Sequence, residues 1–326
     1  MADGAGLESR YGETHRGFES HALRMTRRWW LVARAVAAAM AVMATPACSS
    51  ADSAKPSMPT SGTATVEVGG RRVTVHVPGS YDPARPAPLV LGLHGYTSNA
   101  TELESYLRLT PESDRRGFVY AYPEGSTDER GDQFWNATDA CCAFFSPKPD
   151  DSRYLSDLIT TLEGAYRIDR ARVYLIGHSN GGFMAFRMAC EHADQIAAIA
   201  ALNGATWNDA TKCRPSEPVG VLAIHSSDDE TVAFGGGSIN GVPYPSAATT
   251  VADWLGYDHC ADAGRDAPRL DLVTGLPGAE TSVRAYTQGC AVQAWTINGG
   301  THVPQLGAAF GPAVTDFLLA QRKPAR

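Results

Sequence analysis

Three observations predict an α/β fold, with a single, mostly parallel sheet covered by helices on both faces. Six short apolar runs alternate with helical patterns. The runs carry almost no polar positions, as strands buried on both faces require. One of them leads straight through a Gly-x-Ser-x-Gly turn into a helical stretch. In chain order, residues 65–77 hold two alternating runs about Gly69-Gly70, a hairpin signal. The apolar runs follow at 89–93, 118–122, 173–176, 197–202, 219–224 and 292–297, and helical patterns at 151–166, 182–192, 246–255 and 307–322. Apolar residues make up 44% of the 326 and charged residues 19%, enough to build one core. No internal repeat or second domain is evident.

Two connections stand out. Residues 123–150 form a long loop carrying Phe134, Trp135, Phe144, Phe145 and the adjacent Cys141-Cys142. Loops of that length usually have a function when ordered. The connection 203–218 holds Cys213 and leaves little room for a helical lid, so no large lid is expected over the sheet.

The chain begins with a polar stretch of mixed charge, then changes character at Met25. Arg27 and Arg28, the mostly apolar residues 32–43 and the small residues Thr45-Pro46-Ala47 make an export leader, and translation is expected to start at Met25. Residues 26–31 also have the look of a twin-arginine signal. Cys48 stands where a lipid-acceptor cysteine would, so either a lipid-anchored surface protein or a freely secreted one is expected. The expected organisation is a leader over 1–48, a Ser/Pro-rich tether over 49–63 and one domain over 64–326.

Six further cysteines in an exported chain suggest three disulfides, out of fifteen connectivities. The expected pairs are Cys190–Cys213 and Cys260–Cys290, each tying a helix or loop to the sheet edge, which leaves Cys141–Cys142. There is no Cys-x-x-Cys and no zinc-type spacing, so no metal is expected. With 28 Lys plus Arg against 35 Asp plus Glu, the net charge of −7 argues against nucleic acid as a partner. No apolar run of membrane-spanning length follows residue 50.

The strongest chemical signal is Gly177-His178-Ser179-Asn180-Gly181, between a strand and a helix. Such a turn lifts a serine hydroxyl clear of the backbone. A serine needs a base and the base an orienting acid, expected downstream in the order acid, then His. Asp228 and Asp229 both follow the run 219–224, where ligands meet open α/β sheets, and either qualifies as the acid. His302 follows the run 292–297 and is the base candidate. Of its competitors, His178 flanks the serine and points elsewhere, His225 reads as a buried hydrogen-bonding residue, and His192 and His259 have no supporting context. Two backbone N–H groups should form an oxyanion hole, Asn180 after the serine and Tyr96 in the turn His94-Gly95-Tyr96-Thr97. His94 is expected to prop that turn.

With these residues together, the chain resembles the esterase family of poly(3-hydroxybutyrate) depolymerase catalytic domains and feruloyl esterases. The matching segments are LHGYTSNA at 93–100, YPEG at 122–125, FWNATDACC at 134–142, IGHSNGG at 176–182, HSSDD at 225–229 and NGGTH at 298–302. The resemblance spans roughly residues 64–320 and implies an α/β-hydrolase fold, export and hydrolysis of carboxylic esters with no cofactor. It selects Asp229 over Asp228 as the acid. Two departures are visible: Val303-Pro304 stand where the family often has Trp-Pro, and Asp150-Asp151-Ser152-Arg153-Tyr154 where it has Asp-Asp-Val-Gly-Phe. Trp135, Phe144 and Phe145 are expected to offer aromatic surfaces to a small aryl ester or a polyester. The chain is expected to be a monomer. The rival readings are a non-catalytic surface-binding protein that retains the fold, and a lipase or peptidase with the same triad.

Overall fold

The computed structural model describes residues 58–261 and 263–324. The expected leader, the start at Met25 and Cys48 lie outside the described residues, as does most of the tether. The tether ends sooner than expected: β1 begins at Gly62, and the Tyr166 hydroxyl donates to the Pro59 carbonyl (2.9 Å), docking the chain before that strand.

In chain order the elements are β1 (Gly62–Val68), β2 (Arg71–Val77), β3 (Ala87–Leu93), α1 (Ala100–Leu107), α2 (Thr110–Arg116), β4 (Val119–Pro123), and the short pair β5 (Ser126–Thr127) and β6 (Gln133–Phe134). There follow α3 (Asp151–Ala165), β7 (Ile168–His178), α4 (Asn180–Glu191), β8 (Ala198–Leu202), β9 (Gly220–Ser226), and the small hairpin β10 (Gly237–Ile239) and β11 (Val242–Tyr244). Last come α5 (Ala247–Tyr257), β12 (Arg265–Leu270), β13 (Thr281–Tyr286), β14 (Val292–Ile297) and α6 (Phe310–Ala320).

Ten strands form one sheet in the order β1-β2-β4-β3-β7-β8-β9-β14-β13-β12. The six from β4 to β14 are parallel, and the antiparallel pairs lie at the two edges. Alternation along each strand divides the core in two. Leu89, Leu91, Val173, Leu175 and Ile199 pack with residues of α3, α4 and α5. Val90, Tyr174, Ile176, Ala200 and Leu222 pack with α1 and α6. This is the α/β-hydrolase fold.

Two helices, two strands of the main sheet and the short pairs β5–β6 and β10–β11 were not foreseen. α1 is only 8 residues long, started by Asn99, whose side chain accepts from the Glu102 N–H, and it buries only Ala100, Leu103 and Leu107. α2 has 7 residues and α6 covers it in part through Arg116. β12 and β13 lie at the edge, where β12 is largely exposed and contains Pro268, so no apolar run marks them. The connection 203–218 contains one short 3₁₀ turn, Ala210–Lys212, and no lid. The disulfides are Cys141–Cys142, Cys190–Cys213 and Cys260–Cys290, the expected set.

Candidate active site

Parallel strands deliver their chemistry at their C-terminal ends, and each candidate residue stands at one. Ser179 lies between the end of β7 and the start of α4, with φ 54° and ψ −120°. A non-glycine residue pays for that conformation, and the surroundings must hold it there. They do so by close approach: a Cβ on Gly177 would lie 2.1 Å from the Gly181 carbonyl oxygen, and one on Gly181 would lie 2.0 Å from that of Leu93. The Ser179 N–H donates to Leu202 O (2.8 Å). Asn180 opens α4, so its own N–H has no acceptor within the helix.

His302 sits in the loop after β14 and joins the other two residues. Its Nε2 is 2.9 Å from Ser179 Oγ, and its Nδ1 is 2.9 Å from both carboxylate oxygens of Asp229. An ionised carboxylate only accepts, so Nδ1 carries the hydrogen and Nε2 is left to accept from the serine. The Asp229 side chain is fully buried. Burial pushes its pKa up, but the hydrogen bond and charge of His302, with the Val232 and Thr231 amides, outweigh this and bring it below the ordinary value. Asp228 is exposed and accepts from the Ser227 hydroxyl (2.7 Å), away from the imidazole.

A layer behind the imidazole was not read from the sequence. The His302 carbonyl accepts from His178 Nε2 and from Asn203 Nδ2, each at 2.8 Å, and the His302 N–H donates to Glu230 Oε2 (3.2 Å). Burial lowers the His178 pKa to about 4, so the ring is neutral and has a single N–H to give. Asn203 directly follows β8 with φ 52°, a conformation Asn tolerates better than most residues, and its Oδ1 accepts from Ser226 N–H (2.8 Å). The only hint was an amide side chain at the C-terminal end of a parallel strand. His225 is buried and donates from Nε2 to Val232 O (2.7 Å), while His192 bonds Ser152 Oγ (2.9 Å).

The turn after β3 brings Tyr96 to the same edge. His94 props it: Nδ1 donates to Gly95 O (2.8 Å), and Nε2 accepts from the Gly125 N–H (2.9 Å). Burial lowers the His94 pKa against the Gly95 hydrogen bond and the charges of Glu124, Glu102 and Asp151, which keeps the ring neutral as the two roles demand. The left-handed residue of the turn is Thr97 (φ 65°) rather than Gly95, whose Cβ would meet Ser179 Cβ at an ordinary 3.5 Å.

The expectation for Trp135 needs correction. It is fully buried, with its indole N–H on His94 O (3.1 Å), so it backs the turn and offers no surface to a ligand. The Asn180 side chain grips the Trp135 backbone on both sides, accepting from its N–H (2.7 Å) and donating to its carbonyl (2.8 Å). Phe144 and Phe145 are half-buried. Phe144 stands edge-on to Tyr96 with 5.2 Å between centroids, and Phe145 lies under the Arg130 guanidinium. Val303, next to His302, is 59% exposed.

A serine hydroxyl facing an imidazole nitrogen, with the imidazole held by a buried carboxylate, can attack an acyl carbonyl and hand its proton to the leaving group. Known proteins similar to this chain are esterases. The family model described as Esterase PHB depolymerase matches residues 75–253. A protein of Nocardia uniformis subsp. tsuyamanensis bearing the name esterase NocK is 31% identical over 247 residues, which is 68% of this chain and 67% of its own. Feruloyl esterase B of Piromyces equi is 27% identical over 76% of this chain, and the chain spans 46% of that protein's length. The acetyl xylan esterase from Aspergillus awamori shares the fold, with TM-score 0.56 at 14% identity over 79% of this chain and 98% of its own. The chain belongs to the esterase PHB depolymerase family, and so to the carboxylic ester hydrolases.

Proposed function

We propose that this chain is an exported serine esterase working through an acyl-enzyme. Ser179 attacks the ester carbonyl while His302 takes its proton, Asp229 holds the imidazole, and the Tyr96 and Asn180 N–H groups receive the oxyanion. The alcohol leaves with the proton from His302, and water, activated by the same imidazole, releases the acid. The observation that carries this reading is the unbroken chain from Ser179 Oγ through His302 to Asp229, each link 2.9 Å. No cofactor enters the scheme. Export is supported by the three disulfides and the leader grammar of residues 1–48, with Cys48 as the position for a lipid anchor.

The substrates proposed are esters of short acids, up to about C4–C6, together with aryl, feruloyl, acetyl and hydroxybutyrate-type polyester groups. Ser179 is half-buried, and Tyr96, Phe144, Phe145 and Val303 offer partly exposed apolar surface. Such surface suits flat or short groups better than a long acyl chain. The decisive experiment pairs Ser179→Ala with a p-nitrophenyl ester series. The variant should lose roughly 10⁶-fold in kcat and all labelling by an organophosphate. Turnover close to wild type would overturn the mechanism, and a maximum at long acyl chains would overturn the substrate class.

A further inference from the structure

Four of the seven asparagines precede a glycine: Asn180, Asn203, Asn240 and Asn298. That dipeptide is chemically labile. The glycine nitrogen has no side chain beside it to block its approach, so it can attack the asparagine carboxamide carbon and close an imide ring. Ring closure needs a carboxamide free to turn, a glycine N–H that donates to nothing else, and a backbone able to rotate at the asparagine. Three of the four pairs lack these freedoms. Asn180 is fully buried as the first residue of α4, and its carboxamide accepts from the Trp135 N–H and donates to the Trp135 carbonyl. Asn203 is fully buried too, with its carboxamide bonded to His302 O, Thr301 O (3.3 Å) and the Ser226 N–H. Asn298 is exposed, but its Nδ2 donates to Glu280 O (2.5 Å) and Ser282 Oγ (3.0 Å), and the Gly299 N–H donates to Ser227 Oγ (2.8 Å).

Asn240 differs on every count. It forms the tip of the hairpin β10–β11 with Gly241, at φ 51° and 79°, and both residues are exposed. Neither the Asn240 carboxamide nor the Gly241 N–H has a hydrogen-bond partner among the described residues. The hairpin pairs only three residues on each side, Gly237 with Tyr244, Ser238 with Pro243 and Ile239 with Val242. A two-stranded ribbon that short opens locally at low cost, and opening gives the Asn240 backbone the rotation that ring closure requires.

We propose that Asn240 is a site of spontaneous covalent modification, deamidation, with water as the only co-reactant. The bond from Gly241 N to Asn240 Cγ forms, the Cγ–Nδ2 bond breaks, and the nitrogen leaves as ammonia with the proton of the Gly241 amide. Water then opens the imide at either carbonyl. One product is aspartate on the original backbone, the other isoaspartate, in which the chain runs through the former side-chain carbonyl. No electrons are transferred. Either product adds one negative charge, and isoaspartate also inserts a methylene into the turn between the Asp229 loop and α5. The proposal does not depend on the chemistry assigned to Ser179.

Incubation of the whole chain at mildly alkaline pH, folded and in parallel in guanidinium chloride, tests it, with ion-exchange separation and peptide mapping by mass spectrometry as the readouts. In the folded chain the peptide holding Asn240 should gain about 1 Da and appear as both isomers, while the chain as a whole becomes more acidic. The peptides holding Asn180, Asn203 and Asn298 should change at least about 10-fold more slowly, because their hydrogen bonds must break first. In guanidinium chloride all four should react at similar rates. Asn240→Gln, which would have to close a larger ring, should remove the acidic form. The proposal fails if Asn240 stays intact in the folded chain, if any of the other three keeps pace with it there, or if the acidic form persists in Asn240→Gln.

Discussion

Asp228 and Asp229 are chemically identical neighbours, and only burial and direction separate them. Asp229 is sealed beneath the imidazole and takes three N–H donors, whereas Asp228 faces water. Asp229→Asn should therefore lower kcat/KM by roughly 10⁴-fold, because an amide stabilises the wrong imidazole tautomer. Asp228→Asn should change it only a few-fold, and the opposite ranking in steady-state kinetics would move the acid by one residue. Asn203 acts one step further back, through the carbonyl of His302. Asn203→Ala frees that loop to shift, and a displacement of about 1 Å should cost about 10²-fold in kcat. KM should stay nearly constant, since Asn203 is buried away from any bound ester; a rise in KM at unchanged kcat would contradict a positioning role.

The long loop between β4 and α3 is held by a few polar anchors. The most buried is Asp151, in the first turn of α3, which pairs with Arg71 of β2 (2.6 Å) and accepts from the Ser126 hydroxyl (3.0 Å) and the Asn136 N–H (2.7 Å). Its neighbour Asp150 caps the helix by accepting from the Arg153 N–H (3.1 Å), so this departure from the family pattern keeps the capping function. Asp151→Ala leaves a largely buried guanidinium without its carboxylate and should cost about 3–5 kcal/mol. Thermal unfolding should register that loss, and limited proteolysis should cut first within 123–150. An unchanged Tm would show that other contacts hold the loop. At this level the strands were easy to read, since parallel strands buried on both faces must be apolar throughout. The edge strand β12 was not, because an exposed edge imposes no such pattern, and neither was its neighbour β13, which is only partly buried.

Across the whole molecule, stability should depend on pH through Asp258, which follows α5. One carboxylate oxygen accepts from the Val219 N–H (3.2 Å), and the other has no hydrogen-bond partner among the described residues. Burial raises its pKa to about 7, against opposing effects from that hydrogen bond and the Lys323 charge. The sign follows from linkage. Below about pH 4 the group is protonated folded and unfolded, and its contribution is at its most favourable. As pH rises towards 7 the unfolded chain ionises first, so stability falls by up to about 1.4 kcal/mol per pH unit and levels off above the folded value. Asp258→Asn keeps the acceptor for Val219 and cannot ionise. It should raise Tm at pH 8 by about 5 °C or more, and flatten the decline between pH 4 and 7. A parallel decline in both proteins would exclude Asp258 as its source.

The α/β architecture, the serine turn, the histidine after the last strand and the three cysteine pairs were all legible in the chain. Each rests on a local constraint: an uninterrupted apolar run, a strained turn that admits only glycine at its flanks, or a short list of pairings. Residues whose role depends on distant neighbours were not legible. Trp135 has the composition of a surface platform, yet the Asn180 amide and the His94 carbonyl draw it into the interior. His178 and Asn203 lie far from His302 along the chain and meet its carbonyl only because β7, β8 and β14 end at one edge of the sheet. Local pattern fixes which element a residue joins, but burial and hydrogen-bond partners are set by strand order and register, and these exist only once the chain has folded.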